Sequence, residues 1–366
     1  MDCHGANLIH TFVNFNLHIL TIDQIYMSRC LELARLGAGN VAPNPMVGAV
    51  LVHDKKVIGE GYHQIHGQAH AEVNCIKSVH PENENLIRES TLYVSLEPCV
   101  HHGKTPPCVD LILHNRIPKV VVGCRDPFDK VNGKGIDKLK SAGVEVVTNV
   151  LEKECIDLNK RFFCFYKKHR PFIILKWAQC CNAKIANEDF SRVFISNEFT
   201  NRLVHKWRSE EAAILVGTHT VLRDDPELTV RLWKGKNPIR LIIDMNLSLS
   251  KSSKIFNSQS DTIIFNSKKH EKIDNILYFK VENDAKVIDH AINALYQLNI
   301  QSVIIEGGAK TLQSFIDKKM WDEARVITNQ ELAIDHGIPA PRLIHFKQTH
   351  SASILSDNLH YYQFAQ

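Results

Sequence analysis

Two short strings that bring metal-binding side chains to the starts of helices constrain this chain more than any other feature. His70-Ala71-Glu72 opens one expected helix. Pro98-Cys99 follows the next expected strand, and Cys108 lies beyond an eight-residue spacer. One imidazole and two thiolates hold Zn²⁺ and leave the fourth position to water, whose pKa the metal brings toward neutrality. Glu72 is close enough to His70 to carry protons without ligating the metal. Helix N-termini favour thiolate at such a place. Taken singly, the cysteines also fit small core residues and the histidine a satisfied helix residue. In register they describe a hydrolytic zinc site.

The 366 residues, 44% of them hydrophobic, suffice for two domains. No apolar run reaches the roughly 18 residues that would cross a bilayer. A net charge of +4 marks no polyanionic partner, so neither nucleic acid nor membrane is expected. The basic run Lys167-Lys168-His169-Arg170 reads as a solvated stretch between domains. No Lys or Arg precedes Arg29, so the positive region of a secretory signal is missing and a cytoplasmic protein is expected. Its ten cysteines then read as thiols rather than disulfides.

Residues 1–20 read as an extension, followed by a domain over 21–169. A helix opens near Asp23, a candidate N-cap, and stops at Gly37 and Gly39. Stretches 47–52 and 57–62 pair as a hairpin, and helices over 68–79, 107–115 and 136–142 alternate with strands over 91–96, 119–124 and 144–148. This predicts an α/β/α-layered unit. A helix from Glu152 carries Phe162, Phe163, Phe165 and Tyr166 toward Pro171, which restarts the chain as a strand. With the boundary near Arg170, strands over 213–217, 239–244, 261–265 and 302–306 give a second α/β domain over 170–366. Residues 248–260, rich in Ser and Lys, read as a flexible surface loop, and the tail near His345 and His350 as surface.

Pro43-Asn44-Pro45-Met46-Val47-Gly48, His70-Ala71-Glu72, Leu96-Glu97-Pro98-Cys99 and His101-His102-Gly103-Lys104-Thr105-Pro106-Pro107-Cys108 resemble the deaminase half of the bifunctional riboflavin-biosynthesis deaminase/reductase family, over about residues 22–168. The resemblance implies a cytidine-deaminase-like fold with Zn²⁺ on His70, Cys99 and Cys108. It implies hydrolytic loss of the 2-amino group from 2,5-diamino-6-ribosylamino-4(3H)-pyrimidinone 5′-phosphate, with Glu72 as the proton carrier. Asn44, His63, His101 and Lys104 would touch that small-molecule substrate.

Glu306-Gly307-Gly308-Ala309-Lys310-Thr311-Leu312 joins a strand to a helix, and two glycines there let a backbone approach a pyrophosphate, although such a turn also serves tight packing. No G-x-G-x-x-G follows a strand, which excludes the Rossmann fingerprint. With Leu175-Lys176-Trp177-Ala178 and the string from Thr220 to Arg231, this segment resembles the reductase half of the same family, from Pro171 to the early 330s. The resemblance implies a dihydrofolate-reductase-like fold and NADPH reduction of the ribosyl to a ribityl chain. NADPH would lie along Ala178, Phe194, Thr220, Asp224 and Gly308. Arg192, Arg208, Leu228, Arg231 and Glu306 would hold the substrate, and Lys176 would serve either ligand. A homo-oligomer is also implied. The chain departs from the family where Cys180-Cys181-Asn182-Ala183 stands in place of Ser or Thr followed by Asp-Gly, and Phe194 in place of a frequent Trp. Asn tolerates a left-handed turn, whereas Ala does so poorly.

Two other readings remain at this stage: a deaminase whose second half only scaffolds, and a binding module with a structural metal. Closed structural zinc sites use four protein ligands, and three belong together here. Replacement of Glu72 by Gln is expected to keep bound zinc while slowing ammonia release by about 10²–10⁴-fold. Metal analysis beside an ammonia assay checks this, and unchanged release would favour the structural metal.

Overall fold

Strands apolar along their whole length need cover on both faces, and among the described residues the central strands of the two larger sheets are covered in that way, while β7 and β15 form a small third sheet. The computed structural model describes residues 20–101, 106–189 and 191–365. Residues 1–19 of the expected extension and Lys104 lie outside them. The first half runs α1 (Ile22–Arg35), β1 (Gly48–His53), β2 (Lys56–Tyr62), α2 (Ala71–Lys77), β3 (Thr91–Leu96), α3 (Cys108–His114), β4 (Lys119–Cys124), α4 (Lys134–Ser141), β5 (Glu145–Val147), α5 (Glu152–Leu158) and α6 (Lys160–Lys168). Its sheet has the order β2-β1-β3-β4-β5. The first pairings are antiparallel and the β3-β4-β5 pairings parallel. Alternation along β1 sends Ala49 and Leu51 to the face covered by α2, α3 and α4, and Val50 and Val52 to the face covered by α1, α5 and α6.

Two local expectations are corrected. Thr21, not Asp23, caps α1: its hydroxyl accepts from the Gln24 N–H, and the Gln24 side chain accepts from the Thr21 N–H. Asp23 instead accepts the Tyr93 hydroxyl at 2.7 Å. The helix expected from Glu152 breaks at Asn159, whose carboxamide bonds both the N–H and the C=O of Met46, at 2.8 and 2.9 Å.

The second half runs β6 (Phe172–Cys180), β7 (Lys184–Asn187), α7 (Glu198–Glu210), β8 (Ala213–Gly217), α8 (Thr218–Asp224), β9 (Ile239–Ile243), β10 (Thr262–Asn266), β11 (Glu271–Ile273), β12 (Ile276–Lys280), α9 (Val287–Gln297), β13 (Ser302–Ile305), α10 (Ala309–Asp317), β14 (Glu323–Asn329), β15 (Gly337–Pro339), β16 (Phe346–Ile354) and β17 (Asp357–Phe364). The large sheet has the order β11-β12-β10-β9-β8-β13-β6-β14-β17-β16. It is parallel from β12 to β14 and antiparallel at both edges. Helices α9 and α10 cover one face, α7 and α8 the other. Residues 248–260 are not a loose loop. The fully buried Arg240 guanidinium donates to the carbonyls of Ile255 and Asn257, and Ile255 is itself buried.

The basic run before β6 is solvated over Lys167, Lys168 and His169, as expected, but it is not a loose spacer. Arg170 forms a two-pronged pair with Asp322, Lys168 joins it at 2.8 Å, and Asp322 also accepts the Ile173 N–H at 3.0 Å. A second junction joins α6 to the large sheet through Arg161 and the buried Glu211. Burial pushes the Asp322 carboxyl up, but Arg170 outweighs it and holds the group below the usual carboxylate range. A carboxyl depressed on folding contributes stability in full above its unfolded value of about 3.9 and loses it as pH falls through the folded one. Asp322→Asn is therefore expected to cost about 3 kcal/mol at neutral pH. Urea unfolding compared with the parent checks this, and the gap should begin to narrow only as pH falls below about 3.9, toward the depressed folded value.

Candidate active sites

The expected metal donors meet. His70 Nδ1 lies 3.6 Å from Cys99 Sγ and 3.3 Å from Cys108 Sγ, and the three donor atoms fall within 4.8 Å of one another. An N–S edge of about 3.6 Å is what tetrahedral zinc with ordinary bonds requires, so the set fits Zn²⁺. The Cys108 N–H reaches Cys99 Sγ at 3.4 Å. Hydrogen bonding from the Cys108 thiol, against the cost of burial and with help from His70, brings the Cys99 thiol down to about 4. Glu72 sits on the first turn of α2, 3% exposed. Burial and the Cys99 thiolate raise its carboxyl, which suits a group that must take up and return a proton.

His70, Glu72 and Cys99 line a cavity of about 370 Å³, whose wall also includes Asn44, His63, His101, Asp126, Phe128 and Tyr166. His63 Nδ1 lies 3.0 Å from the Ala69 carbonyl and must carry the proton, so Nε2 accepts from the Asn44 amide at 3.1 Å. Burial lowers the His63 pKa and keeps the ring neutral. Both ring nitrogens are thus used inside the protein, and His63 orients Asn44. His101 packs edge-on to Phe128.

The helices are set by contacts that no side chain could enter. A Cβ on Gly61 of β2 would lie 2.2 Å from the Cys75 nitrogen and 2.6 Å from the Ala71 carbonyl, so α2 rests directly on the strand. Glu97, which the sequence reading quoted without a role, accepts the backbone N–H groups of Asp126, Gly133, Gly135 and Ile136. It pins the Cys99 turn to the start of α4. Its place in the Leu96–Cys99 string was the available signal. Asp126, also missed, is buried beside it, and burial raises its carboxyl to about 7.

In the second half, the connections of β8 and β13 diverge: β8 leads to β9 on one side, β13 to β14 beyond β6. Ligands of open α/β sheets lie beyond the carboxyl ends of strands at such a divergence. Here Glu306 receives both prongs of Arg208 at 2.8 Å, with Lys176 Nζ at 3.6 Å. Burial raises the Glu306 carboxyl, but Arg208 and Lys176 outweigh it and bring it to about 2. Arg208 is therefore already paired. Arg231 pairs with Glu227 and is half exposed. Leu228 is buried, with a left-handed φ of 55°.

Gly308 caps α10, and its N–H donates to Thr220 Oγ1 at 3.0 Å. Neither it nor Gly307 has a positive φ. Space at Gly307 is tight, since a Cβ there would sit 3.1 Å from Thr311 Cβ and 3.4 Å from the Gly217 nitrogen. Ala178 lies on β6 and Asp224 ends α8. Arg192 stacks on the exposed Phe194 at 4.8 Å, and its charge acts on Asp224. Ala183 does take a left-handed conformation, φ 56°. Asn182 ties that turn to both backbone groups of Ile334.

Residues 20–124 match the family of the cytidine and deoxycytidylate deaminase zinc-binding region, and residues 171–329 the RibD C-terminal domain family. The riboflavin biosynthesis protein RibD of Aquifex aeolicus is 39% identical, over 83% of this chain and 86% of its own length. RibD of Bacillus amyloliquefaciens is 36% identical, over 82% and 83%. The crystal structure of a diaminohydroxyphosphoribosylaminopyrimidine deaminase/5-amino-6-(5-phosphoribosylamino)uracil reductase from Thermotoga maritima has a TM-score of 0.85 at 35% identity, covering 94% of this chain and 99% of that one. The first half thus has the cytidine-deaminase-like fold, and the second the fold of the RibD reductase domain.

Seating of α2 on Gly61 has a measurable consequence. Gly61→Ala should destabilise the protein by about 1–3 kcal/mol and reduce bound zinc. Gly39→Asn, at a left-handed site with open space around it, should retain both. Thermal melting and metal content decide, and full zinc in the Gly61 variant would contradict the seating.

Proposed function

The chain belongs to the bifunctional RibD family of riboflavin biosynthesis, and we propose on that basis that it carries out two consecutive steps. Residues 21–169 remove the 2-amino group of 2,5-diamino-6-ribosylamino-4(3H)-pyrimidinone 5′-phosphate by hydrolysis. Residues 170–366 then use NADPH to reduce the ribosyl to a ribityl chain. One observation carries the reading: the buried Glu72 shares the wall of one cavity with His70 and Cys99 of a three-donor zinc set.

Zinc on His70, Cys99 and Cys108, when bound, supplies an acidified water and a polarising charge. Glu72 would accept the two protons of the attacking water one after the other, passing the first to the ring nitrogen and the second to the departing amine. Asn44, held by His63, offers donor and acceptor to the base edge. His101 and Lys104 complete the substrate contacts. In the second half the glycine-bounded crevice at the ends of β8 and β13 fits a dinucleotide phosphate, with Ala178, Phe194, Thr220, Asp224 and Gly308 along NADPH. Its nicotinamide supplies the hydride. Lys176, Arg192, Arg208, Leu228, Arg231 and Glu306 hold the sugar phosphate, Glu306 keeping the two cations in place. No helix among the described residues is long and apolar enough to cross a membrane. The reading includes a cytoplasmic homo-oligomer.

Mass-resolved product analysis tests the two steps. The diamino substrate should gain about one mass unit without NADPH, as amine becomes carbonyl, and about two more with it, as hydride and proton are added. A first gain without the second would return the scaffold reading, and no gain would remove the deaminase.

A further inference from the structure

We propose that the deaminase cavity is a composite site, in which Asn299 of the reductase half binds the ribosyl phosphate end of the substrate. The proposal rests on the deaminase reading above. Helix α9 closes through the Asn299 N–H to the Tyr296 carbonyl at 3.0 Å and the Ile300 N–H to the Leu295 carbonyl at 2.9 Å. Asn299 takes a left-handed φ of 57° in this turn, at a position that glycine ordinarily fills. The turn itself does not use the carboxamide, which has no hydrogen-bond partner among the described residues. Asn299 lies instead on the wall of the cavity that holds His70 and Glu72.

The turn is fixed against that cavity. Tyr296 packs on Phe165 with ring centroids 4.7 Å apart, and its hydroxyl lies 3.0 Å from His169 Nδ1. Phe162 and Tyr166 of the same helix α6 line the cavity beside Phe128. Glu72 and Cys108 are buried while Asn299 is exposed, so the metal end is deep and Asn299 stands at the mouth. A pyrimidine with its amine at the deep end presents its sugar phosphate there. No Lys or Arg lines the cavity among the described residues, and a neutral carboxamide donates to hydroxyl or phosphate oxygen. Asn299 precedes β13 and Glu306 follows it, so about 20 Å of extended strand separates this residue from the reductase cluster.

The test compares N299G, which keeps the left-handed turn without strain, and N299D, which places a carboxylate beside the phosphate. With zinc-loaded protein, N299G should raise KM for deamination about 5–10-fold with kcat within about twofold, and N299D should raise it further. NADPH oxidation with the deaminated pyrimidine supplied separately, zinc content and Tm should stay at the parent values. KM values at the parent level in both variants would overturn the proposal. So would a parallel loss of both activities with a lowered Tm, which would mark a merely structural turn. A parent protein that releases no ammonia would overturn the deaminase reading first, and this proposal with it.

Discussion

A helix that rests on a strand with nothing between their backbones fixes the chemistry of the first half. Gly61 leaves no room for a side chain under Ala71 and Cys75, so the start of α2, with His70 and Glu72, is set by the plane of the sheet. Glu97 does the same for the opposite wall by holding the N–H groups of Gly133, Gly135 and Ile136 at the start of α4 and that of Asp126 after β4. The thiolates arrive from the turn between these two anchors. Pre-positioned donors would bind metal without having to be gathered.

Much of this was legible in sequence, for a physical reason. Strands β1, β3, β4, β8, β9, β10 and β13 are buried on both faces, so each reads as a short apolar run. The metal donors stood out because their spacing places them at element ends. What escaped depends on distant partners. The break at Asn159 exists because its carboxamide serves Met46, 113 residues away. Strand β16 is exposed along most of its length, so no hydrophobic pattern marks it, and its hairpin with β17 was missed with it. Asp322 lies far from the basic run it neutralises, so that tie did not show.

The second half is legible in a different way. Its string Glu306–Leu312 follows the carboxyl end of β13, where the crossover connections part, and Leu175–Ala178 lies within the neighbouring β6, which runs on to Cys180. Glycine at 307 suits the closeness of Thr311 rather than a left-handed backbone. In the turn after β6, Ala183 accepts a left-handed φ while Asn182 secures the turn. Arg208 and Glu306 are paired with no ligand present, so this charge cluster is preorganised by the fold. The junctions through Asp322 and Glu211 hold this sheet against α6, whose other residues wall the deaminase cavity.

Zinc X-ray absorption on the intact protein tests the central claim most directly. The donor set predicts two sulfur ligands at about 2.3 Å, one imidazole nitrogen at about 2.0 Å and one further light-atom ligand from solvent. Four protein ligands, or a metal bound without both sulfurs, would contradict it.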